Sequence, residues 1–201
     1  MLAATGSLIL LIAARAAMPR AWADAAPALP ADPRMAPRGE GSPTAKIVVD
    51  EWFSFTCPHC ARFSADVYPQ IKAQLIDTGK IRYNFNCYPR DQVDLMAAMV
   101  ARSLPPDRYV PFVEQLLATQ AHWAFDRSVD PKDELAKEAA LAGMSRAMFD
   151  RVTADDTLKT ALLAAQAQAE KTYNIESTPT FIINGRKHEG EVTYETFASW
   201  V

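Results

Sequence analysis

Two cysteines stand two residues apart in the stretch FTCPHC, Phe55 to Cys60, and that spacing admits three chemistries. The pair can hold a metal, close an inert staple, or form a disulfide that opens and closes in a reaction. The flanking residues weigh among them. Ile47-Val48-Val49 and Trp52-Phe53 form a β-branched and aromatic run ahead of the motif, which predicts a central strand. After Cys60, Phe63, Val67, Ile71 and Leu75 recur every four residues, the repeat of a helix face. Cys57 is therefore expected where a strand hands over to the first turn of a helix. Unpaired N–H groups and the positive end of the helix dipole favour thiolate over thiol there. Pro58 suits such a start, having no amide hydrogen and a helix-compatible φ. His59 can add positive charge or a hydrogen-bond donor beside the Cys57 sulfur, and Cys60 lies further from solvent.

A structural zinc site takes four ligands, and only Cys87 and three scattered histidines are available to complete this one. A staple closing so small a loop constrains little chain. Redox chemistry is the reading preferred. Stabilising the Cys57 thiolate stabilises the reduced state, so the disulfide is an oxidant and Cys57 a good leaving group. The third cysteine, Cys87, leaves an odd count and argues against a disulfide-stapled scaffold. The chain of 201 residues is 49% hydrophobic and 22% charged, which fits a globular protein with one main core. With a net charge of -3 it has no basic excess for nucleic acid.

The elements that position the pair follow from periodicity. Thr78-Gly79 is expected to end the first helix, Gly79 supplying a left-handed cap. Ile81, Tyr83 and Phe85 alternate with Arg82, Asn84 and Asn86, a strand with one buried face. Helical segments occupy about 92–173, broken at Pro105-Pro106, Asp130-Pro131 and Gly143. Their apolar stripes, Met96, Met99, Val100, Phe112, Leu116 and Trp123 among them, read as core. Thr180-Phe181-Ile182-Ile183, the turn pair Asn184-Gly185 and Arg186 to Glu189 read as a hairpin. Thr193 is placed to cap a final helix carrying Tyr194, Phe197 and Trp200. The fold class expected is α/β, with a helical insertion between the second strand and the hairpin. At the other end, Leu8 to Ala14 is apolar and Ala21-Trp22-Ala23 has the pattern of a signal-peptidase site, although nothing basic precedes Leu8. Residues 1–23 are expected to be a signal peptide that exports the protein, and 24–43, rich in proline, an extended linker. The folded domain is expected over 44–201.

The motifs DEWFSFTCPHCARF and ESTPTFIINGRKHEG, at opposite ends of the helical block, resemble the DsbA family of periplasmic thiol:disulfide oxidoreductases, in the thioredoxin superfamily. The resemblance covers about 44–201. It implies a thioredoxin-like fold whose helical insertion precedes a cis-proline strand, and no cofactor. Cys57 matches the nucleophile, Cys60 its buried partner, and Pro58 and His59 the dipeptide of the oxidase. Pro179 matches the cis-proline beside the disulfide, with Thr178 before it, and the backbone there pairs with an extended client. On residues alone, Thr178-Pro179 reads as an ordinary trans turn. Glu51 matches an acid beneath the site, with a raised pKa, that helps move the Cys60 proton; the competing reading turns Asp50 inward instead. Lys80 resembles, more loosely, a lysine paired with that acid. Cys87 has no family counterpart and is expected to be a buried free thiol.

The implied activity is donation of the Cys57–Cys60 disulfide to unfolded exported proteins by a periplasmic monomer. A DsbB-type, quinone-linked membrane partner would re-oxidise it. Thr178 departs from the valine of the enteric oxidase and is what disulfide isomerases carry. An isomerase or reductase on the same fold, and a redox-inert peptide-binding module, are the alternatives.

Overall fold

The structure, a computed structural model, describes residues 32–201. The expected signal peptide lies outside the described residues, as does the first part of the linker.

Five strands form one sheet in the order β1-β3-β2-β4-β5. They are β1 (Gly39–Gly41), β2 (Ile47–Phe53), β3 (Ile81–Cys87), β4 (Thr180–Ile183) and β5 (Arg186–Glu189). β2 is central, parallel to β3 and antiparallel to β4. Along β2 the side chains of Val49, Glu51 and Phe53 are buried while Val48, Asp50 and Trp52 are not, the alternation of a pleated strand covered on one side. Asp50 faces away from that buried side and accepts bonds from the Asn84 and Asn86 amides. The inward acid is therefore Glu51.

The first helix is not the single one expected. α1 (Pro58–Asp66) stops at Val67, α2 (Tyr68–Ile71) restarts, and a π turn covers Lys72–Ile76. Pro69 is the cause, since it has no N–H to continue the ladder and its ring opposes the carbonyl four residues back. The apolar face survives the break. Phe63, Ile71 and Leu75 are buried and Val67 packs against the core. Gly79 closes the segment at φ +75°.

The linker expected over 24–43 is in its described part built into the fold. Pro33–Met35 form a 3-10 turn, and Arg34 bonds both Asp32 and Asp155. Gly39 to Gly41 pair antiparallel with Asn84 to Arg82 of β3. Proline and glycine content suggested an extended spacer, but the glycines serve close approach here. A Cβ at Gly39 would collide with the Tyr83 carbonyl, and Gly41 sits at φ +92°. Among the described residues a strand thus precedes the two read from sequence, and the helical insertion lies between β3 and the cis-proline strand as expected.

The insertion comprises α3 (Gln92–Ser103), α4 (Pro106–Ala118), α5 (Gln120–Trp123), α6 (Pro131–Leu141), α7 (Arg146–Thr153) and α8 (Asp156–Tyr173). Asp91, Asp130, Ser145 and Asp155 cap α3, α6, α7 and α8 through side-chain acceptors. Met99, Val100, Phe112, Leu116 and Trp123 are buried, and Met96 packs against them. The hairpin turns at Asn184-Gly185, both with positive φ, and α9 (Tyr194–Ala198) is capped by Thr193. Phe63 of α1 packs on Phe181 and Phe197 in tilted and edge-to-face contacts, with ring centroids 4.8 to 6.4 Å apart. These contacts seat the cysteine helix on the sheet. Among the described residues no helix is long and apolar enough to cross a membrane.

Candidate active site

β2 ends at Phe53, and the loop Ser54-Phe55-Thr56, buried at Ser54 and Phe55, carries the chain to Cys57. Cys57 occupies the N-cap position of α1 with extended φ and ψ of -90° and 116°, and Pro58 is the first helical residue. The Cys57 carbonyl accepts the first helical bond, from Ala61 N at 3.1 Å. This is the strand-to-helix handover the sequence predicts.

All three cysteines are free thiols in this structure, so the site is in its dithiol form. The two motif sulfurs are driven in opposite directions. At Cys57 hydrogen bonds win: donation from the Cys60 thiol is the largest effect, opposed by burial and assisted by Thr178 and by the backbone N–H groups of Cys60 and His59. The Cys57 pKa falls to about 5. At Cys60 burial wins, reinforced by the Cys57 sulfur and by Glu51, and the thiol is pushed well above its usual range. At neutral pH the pair is a thiolate next to a thiol, which is a nucleophile with a proton-bearing partner.

Pro179 follows a cis peptide bond from Thr178. The trans turn favoured by residues alone is thereby corrected, since the strand pairing of Thr180 with Trp52 and of Phe181 with Glu51 brings this bend to the end of β2. In its protonated form the Cys57 thiol donates to the Thr178 carbonyl at 3.2 Å. The Thr178 hydroxyl is buried and without a hydrogen-bond partner among the described residues, while its proximity helps lower the Cys57 pKa. A fully formed thiolate gives that hydroxyl an acceptor. Both Cys57 and Cys60 are 0% exposed.

Glu51 lies beneath the pair, 3% exposed. Burial raises its pKa to about 8, Tyr83 donation opposes this, and the Cys57 charge adds to it. Tyr83 Oη is 3.0 Å from Glu51 Oε2. Lys80, expected as the partner of this acid, does not join the site. Glu51 is in register with Phe85, five residues along β3 from Lys80, or about 16 Å at the rise of a strand. Tyr83 occupies the partner position instead.

His59 is exposed, and its Nδ1 lies 3.0 Å from Glu191 Oε1 and 2.7 Å from Arg62 Nη2. Arg62 Nε in turn bonds Glu191 at 2.7 Å. Glu191 was not legible in the sequence, because only the hairpin fold brings it to α1. Cys87 is buried, 3.4 Å from Tyr109 Oη, and burial pushes its thiol up. Three further polar side chains touch the cysteine loop, Asp91 at the start of the insertion and Asp94 and Gln120 within it. A faint signal existed for Gln120: it takes a helix-face position in the otherwise apolar series Leu116, Gln120, Trp123.

The family model described as thioredoxin matches residues 36–201. A Rickettsia bellii protein named as a protein-disulfide oxidoreductase is 30% identical over 150 residues, which are 74% of this chain and 57% of that protein. The thiol:disulfide interchange protein DsbA of Bordetella parapertussis is 30% identical over 145 residues, covering 70% of this chain and 65% of the relative. The chain thus spans little more than half the length of the Rickettsia relative. The crystal structure of Wolbachia pipientis alpha-DsbA1 superposes with a TM-score of 0.75 at 28% identity, covering 82% of this chain and 88% of that one. A protein-disulfide isomerase from Novosphingobium aromaticivorans does so with a TM-score of 0.70 at 25% identity, covering 81% and 94%. The chain belongs to the thioredoxin family and, within it, to the DsbA-like proteins.

Proposed function

We propose that this protein is a periplasmic thiol-disulfide oxidoreductase that donates a Cys57–Cys60 disulfide to exported proteins. The observation that carries the reading is the opposed pair of sulfur environments, with Cys57 lowered to about 5 and Cys60 raised. A low thiolate energy at Cys57 favours the dithiol product, so the disulfide passes outward to the client.

The steps balance. A client thiolate attacks the Cys57 sulfur, and the Cys57–Cys60 bond breaks. Cys60 leaves with the electron pair and takes a proton, for which the Glu51 carboxyl beneath it is the donor. A second client thiolate then attacks the client sulfur of the mixed disulfide. Cys57 leaves as a stabilised thiolate, and the client holds a new disulfide. The client backbone lies along the bend at Thr178-Pro179, where strand addition would hold the attacking thiol beside Cys57. Each cycle leaves the protein with two thiols, so a DsbB-type membrane oxidant is needed to restore the disulfide. A signal peptide over 1–23 would put both the protein and its clients outside the cytoplasm.

One observation favours a second reading. Thr178 before the cis-proline offers a hydroxyl to the thiolate, and a solved relative is named a protein-disulfide isomerase. Isomerisation uses the same sulfurs but starts from the dithiol. Replacing Cys60 with serine in cells and identifying the proteins trapped on Cys57 tests the oxidase. Exported proteins and a quinone-dependent membrane protein are the catch expected. Faster recovery of scrambled than of reduced ribonuclease by the purified protein would give the isomerase instead.

A further inference from the structure

Ser54, Phe55 and Cys57 are buried, and the backbone polar groups there have to be paired away from water. Side chains of the helical insertion supply much of that pairing. The Phe55 N–H donates to Asp94 Oδ1 at 2.8 Å, from α3. Gln120 Nε2, from α5, donates to the Phe55 carbonyl at 2.7 Å and to the Cys57 carbonyl at 3.0 Å. Asp94 is 1% and Gln120 5% exposed. The second oxygen of Asp94 accepts from Arg90 N at 2.9 Å, which stops the carboxylate from turning. Next to them Asp91, the cap of α3, takes the Thr56 hydroxyl at 2.7 Å.

We propose that Gln120 and Asp94 are positioning residues for the redox pair, holding Phe55 by both its backbone polar groups and Cys57 by its carbonyl. This rests on the thiol-disulfide reading above and adds that the insertion helps set the reactivity of Cys57. The geometric reason is specific. The Cys57 carbonyl already accepts Ala61 N–H as the first bond of α1. A second donor on its other lone pair fixes the plane of the Cys57-Pro58 peptide. That plane aims the Cys57 sulfur at the N–H groups of His59 and Cys60 and at the Cys60 thiol, the partners that favour its thiolate. If Gln120 does not donate there, the carbonyl can rotate about the α1 entrance, and the sulfur drifts from those partners.

Gln120→Met tests this without altering any charge around the site. The full-length protein is reduced, the ultraviolet absorbance of its thiolate is followed against pH, and its redox equilibrium with glutathione is measured. The Cys57 midpoint should rise by about one unit, and the equilibrium constant for oxidising glutathione should fall about tenfold. Gln120→Asn, an amide too short to reach both carbonyls, should move both readouts in the same direction by less. Asp94→Glu, which keeps the charge and displaces the acceptor, should do likewise, and these two variants decide the matter if the first does not fold. Titrations and equilibria that superpose on the parent, alongside a lowered Tm, would reduce both residues to structural hydrogen bonding and overturn the inference. A parent protein unable to exchange disulfides with glutathione would instead sink the reading on which it rests.

Discussion

Replacing Glu51 with glutamine removes one proton site and little else. Glutamine has the same shape and keeps an acceptor oxygen for Tyr83, whose hydroxyl now lies 3.0 Å from the carboxyl. The magnitude follows from the pKa, which is about 8 in the fold against an ordinary 4.5. For an acid raised on folding, the native state binds more protons than the unfolded chain between those two values. Stability is therefore highest near pH 4.5 and declines as pH rises toward 8. At pH 7 the accumulated loss is on the order of 3 kcal/mol, at 1.36 kcal/mol per unit. Glutamine escapes it. Cys57 pulls the other way in the reduced protein. Its pKa is depressed from 9.0 to about 5, so its contribution grows with pH across that window. The difference between parent and variant separates the two. Urea unfolding of reduced protein at intervals from pH 4.5 to 8 should show Glu51→Gln gaining on the parent steadily, by about 2 to 3 kcal/mol at pH 7. Parallel curves, or a variant weaker than the parent at pH 8, would show that Glu51 is not held protonated by burial and would refute its assignment as the proton donor to Cys60. The same variant should slow client oxidation, because Cys60 must then draw its proton from solvent.

Other perturbations test separate parts of the reading. Cys57→Ser should abolish oxidation of reduced ribonuclease, whereas Cys87→Ala, buried with its sulfur against Tyr109 and bonded to neither motif sulfur, should leave the rate unchanged and lower stability by about 1 to 2 kcal/mol in thermal unfolding. Alkylation of the reduced protein should follow a single thiolate with a midpoint at about 5, and loss of that acidic limb would remove the basis for outward disulfide transfer. Thr178→Val removes a hydroxyl that helps lower the Cys57 pKa, so the alkylation midpoint should move upward; an unchanged midpoint would leave Thr178 to client contact alone. Gly39→Ala should destabilise by about 1 to 3 kcal/mol or displace β1, measured by urea unfolding, because its Cβ meets the Tyr83 backbone. An unaffected midpoint would mean that β1 contributes nothing to the fold.

Local chemistry in the chain carried much of the architecture and part of the site. β-branched and aromatic runs named β2 and β3, the Asn184-Gly185 pair named the hairpin, and the FTCPHC spacing named the reactive pair, since each depends on a few adjacent residues. Resemblance to a known family added Glu51, Thr178 and Pro179. Residues beyond local range were decided by the tertiary structure. Strand register set Tyr83 and not Lys80 against Glu51, because pairing of β2 with β3 fixes neighbours that no spacing along one strand reveals. Gly39 and Gly41 looked like spacer and became an edge strand, because the need for a missing Cβ arises only when another backbone comes close. Gln120 and Asp94 sit on helices that by composition are core, and their purpose exists only where those helices meet the loop. The sequence by itself determined that Cys57 would stand at the mouth of a helix. Burial decided how far apart the two sulfurs stand in acidity: desolvation raises Cys60 and Glu51, while hydrogen bonds from Cys60 and the first turn of α1 lower Cys57.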